Sequence, residues 1–395
     1  MKNFIVTLLF ILSTVNGIAQ NFIKGVIKDI ATNETIERAS IYTADFKLHT
    51  ISNKDGVFKL YYREGNKSFT VKYLGYKDLK ITVNNLPADG IYYLEPKNLE
   101  LEEIVLNNIP INELIESLVE SSVKRLEAPV ILNTYYREFI RINDTFTKFS
   151  DALIDYNFYK NKRETKVKTD LSVKQSRFAE LNKVEEGFIR GVGPDVRKAI
   201  EIPANFSVIK EVFPNKKEYT KYNFKIASYG TDNGEPLQAI TFAPKEDLNE
   251  LFYEGVIIYS PNNSLIRSIE AKMTEKSKEN IRYSNILIAK LGIEDLVIKS
   301  GFNYINNQYL PAYYYIYGVL HIWNRNYDKS YKYTSDIIVT NVSEDVSSFS
   351  DEKKYKKRSL YENGNNYTSK FWQGNNSLVL TPNEEAIIKQ LEHKK

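Results

Sequence analysis

The feature that most constrains this chain is a long succession of segments in which aromatic and β-branched residues alternate with polar ones, divided by Gly, Pro, Asn and Asp. FIKGVIKD, ERASIYTA and TISNKDGVFKL stand early; LQAITFAP, LIRSIEAKM, YLPAYYYIYGVLHIW and YKYTSDIIVTNV stand late. Alternation with a period of two places successive side chains on opposite faces of a strand, so such a chain folds by pairing strands. The 29 Tyr and 20 Phe suit half-buried pleated surfaces. With no Cys, neither a disulfide framework nor thiolate chemistry is open to it, and packing must supply its stability.

Residues 1–19 read as a signal peptide. MKNFIVTLLFILSTVNGIAQ has Lys2, an apolar run from Phe4 to Leu12, and the small residues Gly17 and Ala19 before a cleavage point after Ala19 or Gln20. The run is too short to span a bilayer. Export to the periplasm, or association with the outer membrane, is the expected location. The excess of 54 basic over 50 acidic residues, a net charge of +4, predicts no dedicated nucleic-acid surface.

From residue 20 to 106 the strand signals follow one another without a helical period, which predicts a small antiparallel sandwich. Asn53-Lys54-Asp55-Gly56 supplies a hairpin turn, Gly for positive φ and Asx for local hydrogen bonding. The order GVIKD, ERASIY, TISNKDGVFKL, VKYLGYKDLKI, YLEPKNLELEEIVL resembles the carboxypeptidase-regulatory-like domain, a transthyretin-like β-sandwich of seven strands. The resemblance implies an accessory module of envelope proteins, such as the N-terminal extension of TonB-dependent receptors. It does not bring the enzyme with it. A zinc carboxypeptidase needs two His and a Glu, one His and the Glu three residues apart; this chain has His49, His321 and His393, and Ser52 and Asn324 stand three residues after the first two. Nor is the remainder long enough for a receptor barrel of roughly twenty-two strands.

A linker is expected between Glu102 and Ile111, where Asn107-Asn108-Ile109-Pro110 breaks the strand pattern. Residues 107–395 then read as a larger α+β domain. INELIESLVESSVKRLEA places Ile111, Leu114, Ile115, Leu118, Val119, Val123 and Leu126 at helical spacing. A long run of strand signals follows, predicting one large, curved, half-barrel-like antiparallel sheet, and Thr381, Pro382 and Glu384 predict a capping box and a closing helix. TYYREFIR, FSDALIDYN and FWQGNNSLVLTPNEEAIIKQL resemble an uncharacterised Gram-negative envelope family that carries the same sandwich; the resemblance gives Tyr136, Arg137, Glu138 and Trp372 no roles.

Other motifs are weaker. GVGPDVRKAI, from Gly191, lacks the third glycine of a dinucleotide fingerprint, and a loop entering a short helix at Pro194 explains it better. Ser121-Ser122-Val123-Lys124 lacks the companion motifs of penicillin-recognising enzymes. Ile51 occupies a ligand position of the would-be calcium loop at Asn53. The basic runs Lys160 to Lys168 and Lys353 to Arg358 read as a hairpin tip and a loop. No metal ligand set, catalytic residue or cofactor is therefore assigned.

The aromatic strand is the best candidate site. In YLPAYYYIYGVLHIW, Tyr313, Tyr315, Tyr317 and Trp323 share one face, and a hollow lined by them would suit an amphiphilic ligand. The function expected is that of a non-enzymatic exported envelope protein, its second domain binding such a ligand or an envelope protein partner. The alternative is a hydrolase or transferase acting on envelope polysaccharide or peptide through paired Asp and Glu carboxylates.

Overall fold

The computed structural model describes residues 21–392 apart from 45–47, 63–64, 98–108, 164, 181–193, 233, 246–250, 287–288, 306, 351–353 and 361–377. The signal segment, most of the linker, Trp372 and His393 lie outside these residues.

The N-terminal part forms seven strands in two sheets. One sheet orders β4 (Val57–Tyr62), β1 (Asn21–Asp29) and β7 (Ile91–Leu94); the other orders β3 (His49–Ile51), β2 (Ser40–Thr43), β5 (Ser68–Lys72) and β6 (Leu79–Thr82). Every pair is antiparallel except β1 with β7. Alternation drives the packing: Ile23 and Ile27 of β1, Phe58 and Leu60 of β4, and Phe69 and Val71 of β5 turn inward to one buried cluster. The predicted turn forms as an Asx turn, with Asn53 Oδ1 accepting from the amides of Asp55 and Val57 at 3.0 and 2.9 Å. Gly56 has a φ of +72°, and a Cβ there would lie 2.6 Å from the Ile27 carbonyl oxygen, so only glycine fits.

After α1 (Ile111–Arg125) the chain builds an 11-stranded sheet. Its first meander comprises β8 (Val130–Ile142), β9 (Thr145–Lys160) and β10 (Val167–Glu180). Its second runs through β11 (Tyr222–Asp232), β12 (Glu235–Pro244), β13 (Tyr253–Ser260), β14 (Leu265–Met273), β16 (Ala289–Ile305), β17 (Gln308–Asn324) and β18 (Tyr327–Ser343), with β15 (Tyr283–Ile286) paired only to β16. β18 pairs with β8 and joins the two meanders. The outermost strands β10 and β11 do not pair with each other among the described residues, so the sheet stays open. Register shifts at Val173/Gln175, Ile293/Asp295 and Val339/Asn341 are bulges that add twist. Turns beside Asp232, Pro261 and Asn307 join the hairpins β11–β12, β13–β14 and β16–β17.

Both faces of this sheet are covered. Tyr136, Ile337 and Tyr314 face α1, α2 (Glu201–Ala204), α3 (Ser207–Val212) and α4 (Lys216–Tyr219) in the largest core. Their neighbours Tyr135, Ile338 and Tyr313 point the other way and pack against Ile51 of the sandwich. On that second face, Ile387 and Ile388 of the closing helix α6 (Pro382–Glu392) rest on Phe139 and Phe149. The capping box is present: the Thr381 amide donates to Glu384 Oε2 at 2.7 Å, and the Glu384 amide to Thr381 Oγ1 at 3.4 Å. A further α-helix, α5 (Glu275–Glu279), is capped by Thr274. β10 and the Glu294–Ile305 half of β16 were not marked by the sequence pattern, because charges and Ser interrupt their alternation.

Candidate functional site

The sandwich is held on the sheet by buried polar contacts. Arg38, in the segment leading to β2, donates from Nη2 to Asp336 Oδ1 at 3.0 Å. Arg137, the cross-strand partner of Asp336 on β8, donates from Nε and Nη2 to Oδ2 at 3.1 Å each. Arg137 Nη1 also reaches Glu384 Oε2 at 3.2 Å, so the carboxylate that caps α6 belongs to the same network. Both arginine side chains are 6% exposed and Asp336 is 3% exposed, which places this network beyond the reach of solvent screening. Burial opposes charge on Asp336, but Arg137 and Arg38 outweigh it and hold its carboxyl below the usual range.

Further contacts widen the junction. Asn53 Nδ2 donates to the Val379 carbonyl at 3.1 Å, so the hairpin turn of the sandwich also braces the segment before α6. Lys72 pairs with Asp232, which Arg267 approaches at 3.5 Å, and Leu74 packs with Leu237, Ala239 and Ile258. Arg267 is the bulged residue of β14, since Ile258 and Tyr259 oppose Ser268 and Ile266.

His49 donates from Nδ1 to the Val339 carbonyl at 2.7 Å, and its Nε2 is buried without a partner. Burial lowers its pKa, partly opposed by that carbonyl. The unfolded chain therefore binds the proton more readily, and this contribution is fully present above the unfolded value of about 6.5 and lost as pH falls below it. Urea unfolding between roughly pH 5 and pH 7.5 should show a loss of stability on acidification that His49→Gln flattens; equal slopes for the two proteins would refute the assignment.

The four aromatic candidates are not brought together. Arg38 Cζ lies 4.3 Å from the Tyr315 ring centroid and 5.4 Å from that of Tyr313, so both rings sit under the sandwich as cation–π partners. Tyr313 borders a void of about 60 Å³, with Arg38, Lys72, Asp232 and Arg267 around it; that is room for about two waters. Tyr317 lies in the field of Asp295 and Lys332. Trp323 is 42% exposed, with Lys290 Nζ at 5.3 Å from its ring. Ten residues of strand separate Trp323 from Tyr313, about 33 Å.

Tyr136, Arg137 and Glu138 acquire structural roles. Glu138 accepts from Tyr136 Oη at 2.6 Å and from Ser150 Oγ at 2.8 Å on the face towards the helices, while Arg137 points into the junction. His321 is bonded to Tyr283 Oη at 2.6 Å and to Asp328 at 2.7 Å near the exposed end of β17. Among the described residues no group of three or more His, Asp or Glu is placed to hold a metal, and no helix is long and apolar enough to cross a membrane.

A groove that sequence reasoning missed opens between α1, α3, α4 and the β9–β10 turn, with a volume of about 720 Å³. Val123, Ile209, Phe213 and Tyr219 form its floor, each under 9% exposed, and Phe213 stacks on Tyr219 at 4.5 Å. Lys124, Arg163, Lys210 and Lys216 stand at its exposed rim with Glu116 and Glu120. The signal was present: Val208, Ile209, Val212 and Phe213 have helical spacing, and Asn215 caps α4 by accepting from the Lys217 amide at 3.0 Å. Helices of six and four residues are too short for periodicity to mark them.

Curated proteins give no match. Among solved structures, the chain is similar to a DUF1329 family protein from Desulfovibrio piger ATCC 29098, 10% identical over 61% of this chain and 95% of that one, with a TM-score of 0.26. It is similar also to MucB in complex with MucA(peri), 7% identical over 59% of this chain and 98% of that one, with a TM-score of 0.21. Neither likeness is close enough to bear on function. A family model described as the CarboxypepD_reg-like domain matches residues 23–106, which take in β2 to β7 and all but the first two residues of β1, and that stretch is a carboxypeptidase-regulatory-like domain.

Proposed function

We propose that the protein is an exported, non-enzymatic component of the cell envelope, in which the regulatory-like sandwich (residues 20–106) is fixed to the sheet domain (residues 107–395) as one scaffold presented to an envelope partner. The observation that carries this reading is the buried Arg38–Asp336–Arg137–Glu384 network, which ties the sandwich, the middle of the large sheet and the closing helix together. A module loosely tethered for independent recognition would meet its neighbour through a small, wet interface; this one buries charges that are costly to strand. The regulatory-like domain family is non-catalytic, which supports the same reading, as does the apolar leader at residues 1–19 for export.

The test uses the full chain exported from its own leader. Intact mass should place the mature start at Gln20 or Asn21. Limited proteolysis should leave sandwich and sheet protected together, whereas Arg38→Glu, which sets a carboxylate against Asp336, should release the sandwich by early cleavage between residues 98 and 110. Equal cleavage patterns for the two proteins would remove the scaffold reading. Hydrolysis of envelope glycan or peptide by the full chain, lost in Glu116→Gln/Glu120→Gln, would replace it with the enzymatic one; those two carboxylates lie one turn apart on the same wall of the groove and do not flank a substrate from both sides.

A further inference from the structure

We infer that the groove between α1, α3 and α4 is a binding site for a single-chain anionic amphiphile, a long alkyl chain ending in a carboxylate. This assignment is independent of the scaffold reading, since the groove lies on the sheet face opposite the sandwich. Its volume of about 720 Å³ falls in the range of small-ligand sites, about 300–1,000 Å³. The floor residues Ile209 and Phe213 are held by the largest core, so the apolar surface is preformed and needs no rearrangement to receive a chain.

The rim decides the sign of the headgroup. Lys124, Arg163, Lys210 and Lys216 are four cations against the carboxylates of Glu116 and Glu120, and none of the six is in an ion pair among the described residues. Elsewhere the surface Lys and Glu of this chain pair readily, as Lys77 does with Glu95 at 2.6 Å and Lys278 with Glu275 at 2.8 Å. Cations left unpaired around an apolar floor give an anionic head complementary charge while its chain leaves water. Burial with the Glu116 charge nearby pushes the Tyr219 hydroxyl up to about 12, so Tyr219 stays a neutral donor and adds no charge against an anion.

Isothermal titration of the full chain with dodecanoate, kept below its micelle concentration, tests the site. Saturable one-to-one binding is expected, with octanoate weaker by about tenfold or more, and with neither acetate nor dodecyltrimethylammonium binding. Lys210→Glu/Lys216→Glu should raise the dodecanoate Kd about tenfold with unchanged circular dichroism and Tm, because both side chains are exposed. Absence of saturable binding, equal affinity for the cationic amphiphile, or an unchanged Kd in the double variant would each overturn the assignment.

Discussion

Asp336→Ala is expected to lower the stability of the folded chain by about 3–5 kcal/mol, the cost of breaking a buried ion pair by removing one partner. Both Arg38 and Arg137 would be left with their guanidiniums 6% exposed; Glu384, 19% exposed, would be the one remaining anion of the network for Arg137, and the partly exposed Glu37 at 3.3 Å for Arg38. The effect should read as a lower urea midpoint at neutral pH. Asp328→Ala is the control. It stands on the same strand, 70% exposed, and should cost under about 1 kcal/mol. A comparable loss in the two variants would show that the buried network has no special weight. Replacing all three partners, Arg38→Met/Asp336→Leu/Arg137→Met, should recover much of the loss, since the cost lies in stranded charge.

Gly255→Val should be as severe for a different reason. Gly255 lies on β13 opposite Ala271 of β14, and a Cβ there would sit 2.0 Å from the Glu270 carbonyl oxygen, 2.7 Å from Phe242 Cζ and 3.0 Å from Ala271 Cα. Valine favours strands by up to about 1 kcal/mol, but two of these three atoms are backbone and cannot rotate away. The steric term wins, and a net loss of about 3 kcal/mol is expected, measured by equilibrium unfolding or as loss of soluble protein. A variant as stable as the parent would mean that the strands separate there at little cost.

How far the sequence foretells this molecule depends on the range of the interaction concerned. The sandwich, helix α1, the hairpin turns and the capping box of α6 rest on local chemistry: alternation, Asx and Gly at turns, and a Thr-Pro-x-Glu start. Each was legible because its cause lies within a few residues. Arg38 was not. A lone Arg in ERASIY has no mark that separates a surface cation from one sealed against a carboxylate 298 residues away. The alternation of YLPAYYYIYGVLHIW was legible as well, with both faces apolar, yet periodicity names the face without naming its cover: for Tyr313 and Tyr315 it is the sandwich, for Tyr314 the helices. Trp323 shows the converse, since a strand of 17 residues is long enough to run out of the junction altogether. The groove escaped because its walls are short helices from separate segments.

The position of β18 has a consequence for how the chain becomes a protein. β8 to β10 and β11 to β17 are each runs of neighbours, which can zip up as soon as they are made. The seam between them, β8 with β18, joins Ile142 to Tyr331 and must wait for loop closure over a long stretch of chain. Until β18 arrives, β8 and β17 are both open edges in the middle of the future sheet, so an interrupted chain would be split at its centre instead of trimmed at its rim. Arg137 and Asp336 face each other across that seam, so closing it brings the carboxylate that Arg38 reaches beside the guanidinium that Glu384 reaches. Once the seam is closed, the network joins the first and last parts of the chain through β18 and β8.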